Sequence, residues 1–152
     1  WILTGLILSL LGDLCLIPRK VGPYFMLGLS SFLLAHLAYC AAFLAHGVQW
    51  SSCALALPLL TLIAFIVYRW LLPDVPPKLK FAVGTYISVI TIMLALAYGT
   101  HNAIISLAGT MFWLSDISVA RGRFKNADFT NKLWGIPLYF GAQLVFGYAC
   151  LT

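Results

Sequence analysis

The sequence predicts an all-α fold, a polytopic bundle of transmembrane helices, and three observations support this prediction. Of the 152 residues, 62% are hydrophobic and 9% are charged, and the mean hydropathy is +0.99. Apolar runs recur along the whole chain, and they approach the roughly 20 residues that a helix needs to cross a bilayer. All nine Lys and Arg residues lie in or beside alternate breaks between these runs. Lipid solvates this much apolar surface, whereas a soluble domain of this size could not cover it.

Five breaks divide the chain into six predicted spans. The first span ends at IPRKVGP, the second at HGVQWSS, the third at PDVPPKLK, the fourth at YGTHN and the fifth at RGRFKNADFTNK. The spans are expected near residues 1–17, 24–45, 53–72, 81–98, 102–120 and 133–152. Because the breaks are short, neighbouring helices are expected to run antiparallel. We expect one transmembrane helical domain over residues 1–152, with Pro58 and Pro137 at kinks or in first turns.

Positive charge tests the count of six spans independently of hydropathy. The first, third and fifth breaks carry every Lys and Arg, at Arg19, Lys20, Arg69, Lys78, Lys80, Arg121, Arg123, Lys125 and Lys132. Six antiparallel spans bring all of these charges to one face, which the positive-inside bias predicts to be cytoplasmic. Both ends of the chain then lie on the opposite side. The basic pI of about 9.2 therefore follows from topology, and no basic groove or reader motif indicates nucleic-acid binding.

Several kinds of site have no support in the sequence. The four cysteines lack a CxxC pair, the three histidines lack metal-site spacing, and neither a Gly-rich phosphate loop nor a GxSxG motif is present. We therefore expect no metal and no cofactor. The chain begins inside an apolar run, at Trp1 and without Met, so we also expect N-terminal sequence to be missing.

Two of the four aspartates lie inside predicted spans. Asp13 precedes Arg19 by six residues and Asp116 precedes Arg121 by five, about 9 and 7.5 Å along a helix. Both spans run toward the basic face, so the carboxyl groups are expected at nearly the same depth. A membrane carboxylate costs about 2.5 to 3.5 kcal/mol on insertion scales, and a single one often pairs with a nearby Arg or caps a helix. Two at matched depth favour a shared functional site, which requires the first and fifth spans to be adjacent.

The second predicted span carries a histidine and a tyrosine three residues apart, His36 and Tyr39, which can share one helical face. A core histidine bonded to a carbonyl is an equally good interpretation, because buried polar residues often join membrane helices. His36 lies about 18 Å from the start of its helix, which is deeper than the aspartates. It is therefore expected to line a cavity below them.

These residues resemble the YhhN-like lysoplasmalogenase family of multispan membrane enzymes. The resemblance covers essentially the whole chain and rests on GDLCLI (12–17), GPYFMLGLSSFLLAHLAYCAAF (22–43), FWLSDISVARGRF (112–124) and YFGAQL (139–144). Its most specific elements are the Gly-Asp before a basic turn, the Ser-Asp of the fifth span, and the run Phe32, His36, Tyr39 and Phe43. Members of that family have about eight spans, so the resemblance implies that the first two are lacking here.

The resemblance implies hydrolysis of the vinyl ether bond of lysoplasmalogen, which gives a fatty aldehyde and glycerophosphocholine or glycerophosphoethanolamine. An acid protonates the β-carbon of the vinyl ether, water captures the resulting oxocarbenium ion, and the hemiacetal collapses. The reaction therefore needs an acid and a base. Two carboxyl groups in a low-dielectric site can supply both, and Asp13 and Asp116 are the candidates, in either order.

Candidate substrate-binding residues lie around this pair. His36 and Tyr39 could orient water or bind the glycerol hydroxyl. Trp113 could stack on a choline cation, although membrane tryptophans more commonly anchor at the interface. Four cations near the basic face could hold the phosphate, or simply obey the positive-inside bias: Arg19, Lys20, Arg121 and Arg123. The expected partners are a lysophospholipid and the bilayer, and the oligomeric state is left open.

A proton-coupled transporter or channel is the alternative hypothesis, because paired intramembrane aspartates also relay protons. Discontinuous helices near the bilayer midplane would favour it, and Pro58 is the one clear candidate for such a break. Both aspartates are expected near one face. That position suits an enzyme which takes lipid and water from a single leaflet.

Overall fold

The structure, a computed structural model, describes residues 1–18, 22–126 and 128–150. The described residues form six α-helices and one short 3-10 helix, with no β-strand among them. The α-helices are α1 (Ile2–Leu16), α2 (Pro23–His46), α3 (Trp50–Leu71), α4 (Lys80–Gly99), α5 (Ala103–Phe124) and α6 (Phe129–Ala149), and the 3-10 helix (Pro77–Leu79) precedes α4. The predicted all-α fold with six helices is confirmed.

Residues that favour the start of a helix begin three of the helices, and two of them cap the helix with a side chain. Pro23 occupies the first turn of α2, where a missing backbone N–H is tolerated. The side chain of Asn102 accepts hydrogen bonds from Ile104 N and Ile105 N at the start of α5, and Asp128 Oδ1 accepts one from Asn131 N at 2.7 Å at the start of α6. Each cap satisfies amides that the helix itself leaves unpaired.

The predicted break at residues 121–132 is too long. Helix α5 continues to Phe124 and α6 begins at Phe129, so Arg121 and Arg123 lie in the last turn of α5. Cations are favourable there because the last carbonyl groups carry partial negative charge. The cap by Asp128 accounts for the early start of α6, which apolar residues alone did not reveal.

Hydrogen bonds and ion pairs tie the loops together at each end of the bundle. Lys125 Nζ pairs with Asp74 Oδ2 at 2.5 Å, which joins the fifth loop to the third. Arg123 donates to Leu16 O at 3.4 Å, which joins the end of α5 to the end of α1. At the opposite end, Gln49 N donates to Gly99 O at 2.8 Å. The described Lys and Arg residues all lie at the first of these ends, where α1, α3 and α5 finish, and none lies at the other. The two ends differ in charge as expected.

Aromatic side chains from α2, α5 and α6 fill the centre of the bundle. Tyr39, Phe43, Phe112 and Phe146 are fully buried. The Tyr39 ring stacks on Phe146 with 4.4 Å between the ring centroids. Lipid is as apolar as these side chains, so close van der Waals and ring packing stabilise the helix contacts rather than hydrophobic burial.

The outer surface is apolar, as an integral membrane protein requires. Leu55 and Phe81 are 84% and 85% exposed, and each of the six α-helices carries other exposed large apolar side chains. Among the described residues, four helical segments are long and apolar enough to cross a membrane: Pro23–His46, Trp50–Leu71, Pro77–Gly99 and Ala103–Phe124. Helix α1 is apolar but has only 15 residues, fewer than the roughly 20 that a full crossing needs.

Candidate active site

A cavity of about 600 Å³ lies inside the basic end of the bundle, and side chains from all six helices line it. Most of its wall is apolar. The two intramembrane carboxyl groups of the described chain, Asp13 on α1 and Asp116 on α5, both line this cavity. The six helices therefore bring together two carboxyl groups that are 103 positions apart in the sequence.

Asp116 lies against a tyrosine and a histidine. Tyr86 Oη, from α4, donates a hydrogen bond to Asp116 Oδ2 at 2.6 Å. His36 Nε2, from α2, lies 3.7 Å from the same oxygen, which is longer than a direct hydrogen bond. The His36 ring is fully buried and meets the Tyr86 ring edge-on, with the centroids 5.2 Å apart. The expectation that His36 lines the cavity is wrong, because His36 is absent from the cavity wall and packs against the Tyr86 ring instead.

Asp13 has an equivalent partner on a different helix. Tyr139 Oη, from α6, donates to Asp13 Oδ2 at 2.6 Å. Phe32 packs edge-on against the Tyr139 ring with 6.1 Å between the centroids. Gly12 makes room for Phe32, because a Cβ atom at position 12 would lie 2.6 Å from that ring. The small residue before Asp13 thus allows α1 to approach α2 closely beside the carboxyl group.

The expected direct packing of the first and fifth helices is wrong. Within the described ranges, α1 packs against α2 and α6, and α5 packs against α3, α4 and α6. Helices α1 and α5 both contribute to the cavity wall, and the Arg123 side chain joins them at the basic end. The two carboxyl groups therefore share one cavity although their helices do not pack on each other.

The other predicted site residues lie in different surroundings. Trp113 lines the cavity and its Nε1 donates to Thr91 Oγ1 at 3.4 Å. Tyr39 does not line it, because its hydroxyl group turns toward Gln143 Oε1 at 3.3 Å. Arg121 pairs with Asp128 at 2.7 Å beside the start of α6 and is also absent from the cavity wall. Arg19 and Lys20 lie outside the described residues.

Two cations do line the cavity, Arg123 and Lys132. The Arg123 guanidinium lies over the Phe25 ring, 5.0 Å from its centroid. Arg123 follows Asp116 by seven residues, which is two helical turns on one face and about 10.5 Å along the axis. Lys132 precedes Tyr139 by the same interval on α6. On α5, Arg123 therefore lies on the same face as Asp116 and nearer the basic end. On α6, Lys132 lies on the same face as Tyr139, the partner of Asp13, and also nearer the basic end.

Sequence reasoning missed Tyr86, Tyr139 and Lys132. Tyr86 and Tyr139 each lie in an apolar span, where a tyrosine is as compatible with ring packing or interfacial anchoring as with a polar contact. One sequence signal could have identified them. A tyrosine hydroxyl group inside a membrane needs a hydrogen-bond partner, and this chain has only four acidic residues to accept such a bond. Lys132 was assigned to a loop because α6 was expected to start one residue after it.

The chemistry available at this cavity is that of carboxyl and phenol groups. Each aspartate keeps one carboxyl oxygen, Oδ1, that is free of the tyrosine hydrogen bonds. Both can therefore exchange a proton with a bound molecule. Across the described ranges, no group of three or more His, Cys, Asp or Glu side chains could hold a metal ion.

Comparison with known proteins identifies the family of this chain. Residues 1–149 match the YhhN family. Lysoplasmalogenase TMEM86A from Bos taurus is 27% identical over 154 residues, an alignment that covers 95% of this chain and 62% of that relative. This chain thus spans less than two thirds of the length of that relative. No solved structure gives a significant match. Because the family match extends over nearly every residue, the chain belongs to the YhhN family.

Proposed function

We propose that this protein is a lysoplasmalogenase, an ether hydrolase that cleaves the vinyl ether bond of a 1-alkenyl lysophospholipid. The observation that carries the proposal is the meeting of Asp13 and Asp116 in one membrane-embedded cavity. Membership of the YhhN family and similarity to a curated lysoplasmalogenase support the same activity. The products are a fatty aldehyde and glycerophosphocholine or glycerophosphoethanolamine.

The two aspartates divide the acid and base roles. One carboxylic acid donates its proton to the β-carbon of the vinyl ether, and the α-carbon becomes an oxocarbenium ion. The other, as a carboxylate, takes a proton from the water that attacks this ion. Proton return through the same pair then breaks the hemiacetal, releasing the aldehyde and the glycerol hydroxyl. Low-dielectric surroundings favour this division, because two neighbouring carboxyl groups there do not both stay ionised.

The tyrosines are proposed as orienting groups for this chemistry. Each hydroxyl group holds Oδ2 of one aspartate, which directs Oδ1 toward the substrate. His36 supports Tyr86 and Asp116 from outside the cavity wall, whereas Tyr39 acts at a greater distance through Gln143. Preorganised groups of this kind avoid reorganisation as charge develops in the transition state.

The basic mouth of the cavity is proposed as the headgroup site. Arg123 and Lys132 carry the charges that the phosphate needs, and Trp113 offers an aromatic face inside the cavity. Arg19 and Lys20 remain candidates from the sequence alone. Arg121 is a weaker candidate, since Asp128 already neutralises it. A headgroup bound there places the glycerol ether oxygen toward the carboxyl groups.

Proton-coupled transport remains the second candidate, because it also uses paired aspartates. Helix α3 contains Pro58 but is continuous through it, so it lacks the break in a helix that transport would favour. Asp13 lies in the last turn of α1, whereas Asp116 lies nearer the middle of α5 than its end. The continuity of α3 is therefore the feature that favours the hydrolase.

Aldehyde release by the purified protein in detergent tests the proposal. The protein should convert a 1-alkenyl lysophospholipid to aldehyde without any ion gradient. The saturated 1-alkyl ether of the same chain length should bind and not be cleaved, because it has no carbon–carbon double bond to protonate. Asp74→Asn is a matched control, since Asp74 pairs with Lys125 outside the cavity. Absence of aldehyde from a folded preparation that binds the lipid would exclude the hydrolase and favour transport.

A further inference from the structure

A second, smaller cavity of about 200 Å³ lies at the seam between α1 and α6. Its wall consists of Leu6, Leu10, Asp13, Tyr139, Phe140 and Gln143. Leu10 and Phe140 are 58% and 57% exposed on the membrane-facing surface. Three of the six lining side chains are therefore apolar, and two of these, Leu10 and Phe140, open the seam cavity to the outer surface of the described bundle.

Three residues line both cavities: Asp13, Tyr139 and Phe140. The hydrogen-bonded pair of Asp13 and Tyr139 thus forms part of the wall between the large cavity and the seam cavity. On one side of the Asp13 carboxyl group lies a space with a basic mouth. On the other lies a space that opens toward lipid.

Helical spacing places the seam cavity deeper in the membrane than the carboxyl group. Leu6, Leu10 and Asp13 follow one another at intervals of four and three residues, so they share one face of α1. Because α1 runs toward the basic end, Leu6 lies about 10.5 Å farther from that end than Asp13 does. Helix α6 runs the opposite way, and Gln143 lies about 16 Å farther from the basic end than Lys132 does.

We propose that the seam cavity binds the hydrocarbon chain of the lysophospholipid beside its vinyl ether. This inference rests on the proposed function and adds a second subsite to it. The scissile bond joins an anionic glycerophosphate to an alkenyl chain, so the reacting carboxyl group must lie where the sites for the two halves meet. Asp13 lies at such a boundary, with cations toward the basic end and leucines toward the bilayer centre.

The opposing possibility is that the chain lies entirely within the large cavity. Ala64 and Val67 of α3 form an apolar part of that cavity wall, on the side away from the seam. The two possibilities predict contacts of the same chain with different helices, so a labelled lipid distinguishes them.

Photolabelling tests the location of the chain without requiring turnover. The probe is a saturated 1-alkyl ether lysophospholipid with a diazirine on its chain near the ether, and peptide mass spectrometry locates the adduct. Labelling of Leu6, Leu10 or Phe140 that excess unlabelled lysophospholipid prevents is the expected result. Competed labelling at Ala64 or Val67, or labelling spread over lipid-facing residues such as Leu55, would overturn the inference.

Chain-length dependence supplies a functional test. Leu10→Trp should fill the seam cavity and lower kcat/KM for a long alkenyl chain by about 10-fold or more, the usual scale for steric discrimination in an apolar pocket. A short alkenyl chain that ends before Leu10 should be nearly unaffected. Leu11→Trp is the matched control, because Leu11 is the next residue of α1, is 48% exposed and lines neither cavity.

The two experiments separate this inference from the proposed function. Equal responses of Leu10→Trp and Leu11→Trp to both chain lengths, in an active protein, would overturn the seam subsite and leave the hydrolase intact. An inactive protein that is nevertheless labelled at the seam would support the lipid subsite and contradict the hydrolase.

Discussion

Two tyrosine hydroxyl groups set Asp13 and Asp116 apart from ordinary interfacial carboxylates. Each accepts a 2.6 Å hydrogen bond from a tyrosine on a neighbouring helix. Hydrogen bonds to a charged group contribute about 1.5 to 3 kcal/mol. Tyr86→Phe and Tyr139→Phe should therefore each lower kcat by about 10- to 100-fold and leave KM for the lysolipid nearly unchanged. Steady-state aldehyde release measures both constants.

Tyr98→Phe is the matched control for these two variants. Tyr98 also lies inside the bundle and makes a 2.9 Å hydrogen bond, but its partner is Thr110 rather than an aspartate. Its replacement should leave kcat unaltered. An equal loss of kcat in all three variants would show that Tyr86 and Tyr139 act only in packing. A rise in KM with unchanged kcat would show that they bind the substrate instead.

The sequence identified Asp13 and Asp116 as candidate site residues, but it did not identify the tyrosines that bind them. A carboxyl group inside an apolar run is conspicuous because its insertion is costly, so Asp13 and Asp116 could be recognised one at a time. Tyr86 and Tyr139 become meaningful only when α4 and α6 lie beside these carboxyl groups. That contact joins residues 30 and 126 positions apart, and no local pattern encodes it.

Close helix contacts determine where the carboxyl groups lie, and glycines permit them. A Cβ atom on Gly12 would lie 2.6 Å from Phe32, whereas one on Gly147 would meet nothing within 4 Å. Gly12→Ala should therefore destabilise the bundle by about 1 to 3 kcal/mol through overpacking. Gly147→Ala should be neutral or gain up to about 1 kcal/mol from helix propensity. Thermal unfolding in detergent compares the two variants.

Activity should follow the same order, because Phe32 also contacts the Tyr139 ring. Gly12→Ala is expected to lose activity and Gly147→Ala to keep it. Equal melting temperatures for the two variants would contradict the close approach of α1 to α2.

The positions of the helices along the chain were more predictable than which helices pack against each other. Long apolar runs separated by Pro, Gly and charge identify six helices, and the errors were at the ends, as at the boundary of α5 and α6. There a single side-chain cap, Asp128, starts a helix within a basic stretch. The separation of α1 from α5 could not be predicted, since hydropathy gives the order of spans along the chain and not their arrangement around a cavity.

The whole molecule is asymmetric along its axis, with every described cation at one end. We propose that this end faces the cytoplasm, as the positive-inside bias predicts. In a cysteine-free background, Gln49→Cys should react with an impermeant maleimide in intact cells, and Lys78→Cys only after permeabilisation. Both positions are exposed. The reverse pattern would invert the topology, and labelling of both in intact cells would contradict the six-helix arrangement.

The proposed reaction depends on the two aspartates as an acid and base pair. Asn keeps the size of Asp and most of its hydrogen bonding, but it can neither give nor take the required proton. Such a step contributes about 10²- to 10⁴-fold to the rate, which is about 3 to 5 kcal/mol.

The most direct test therefore measures aldehyde release and lysolipid binding on the same preparations of the unmodified protein, Asp13→Asn and Asp116→Asn. The account predicts that all three bind the lysolipid with similar Kd values and that only the unmodified protein releases aldehyde at an appreciable rate. Near-normal aldehyde release by either Asn variant would remove that aspartate from the mechanism and contradict the account.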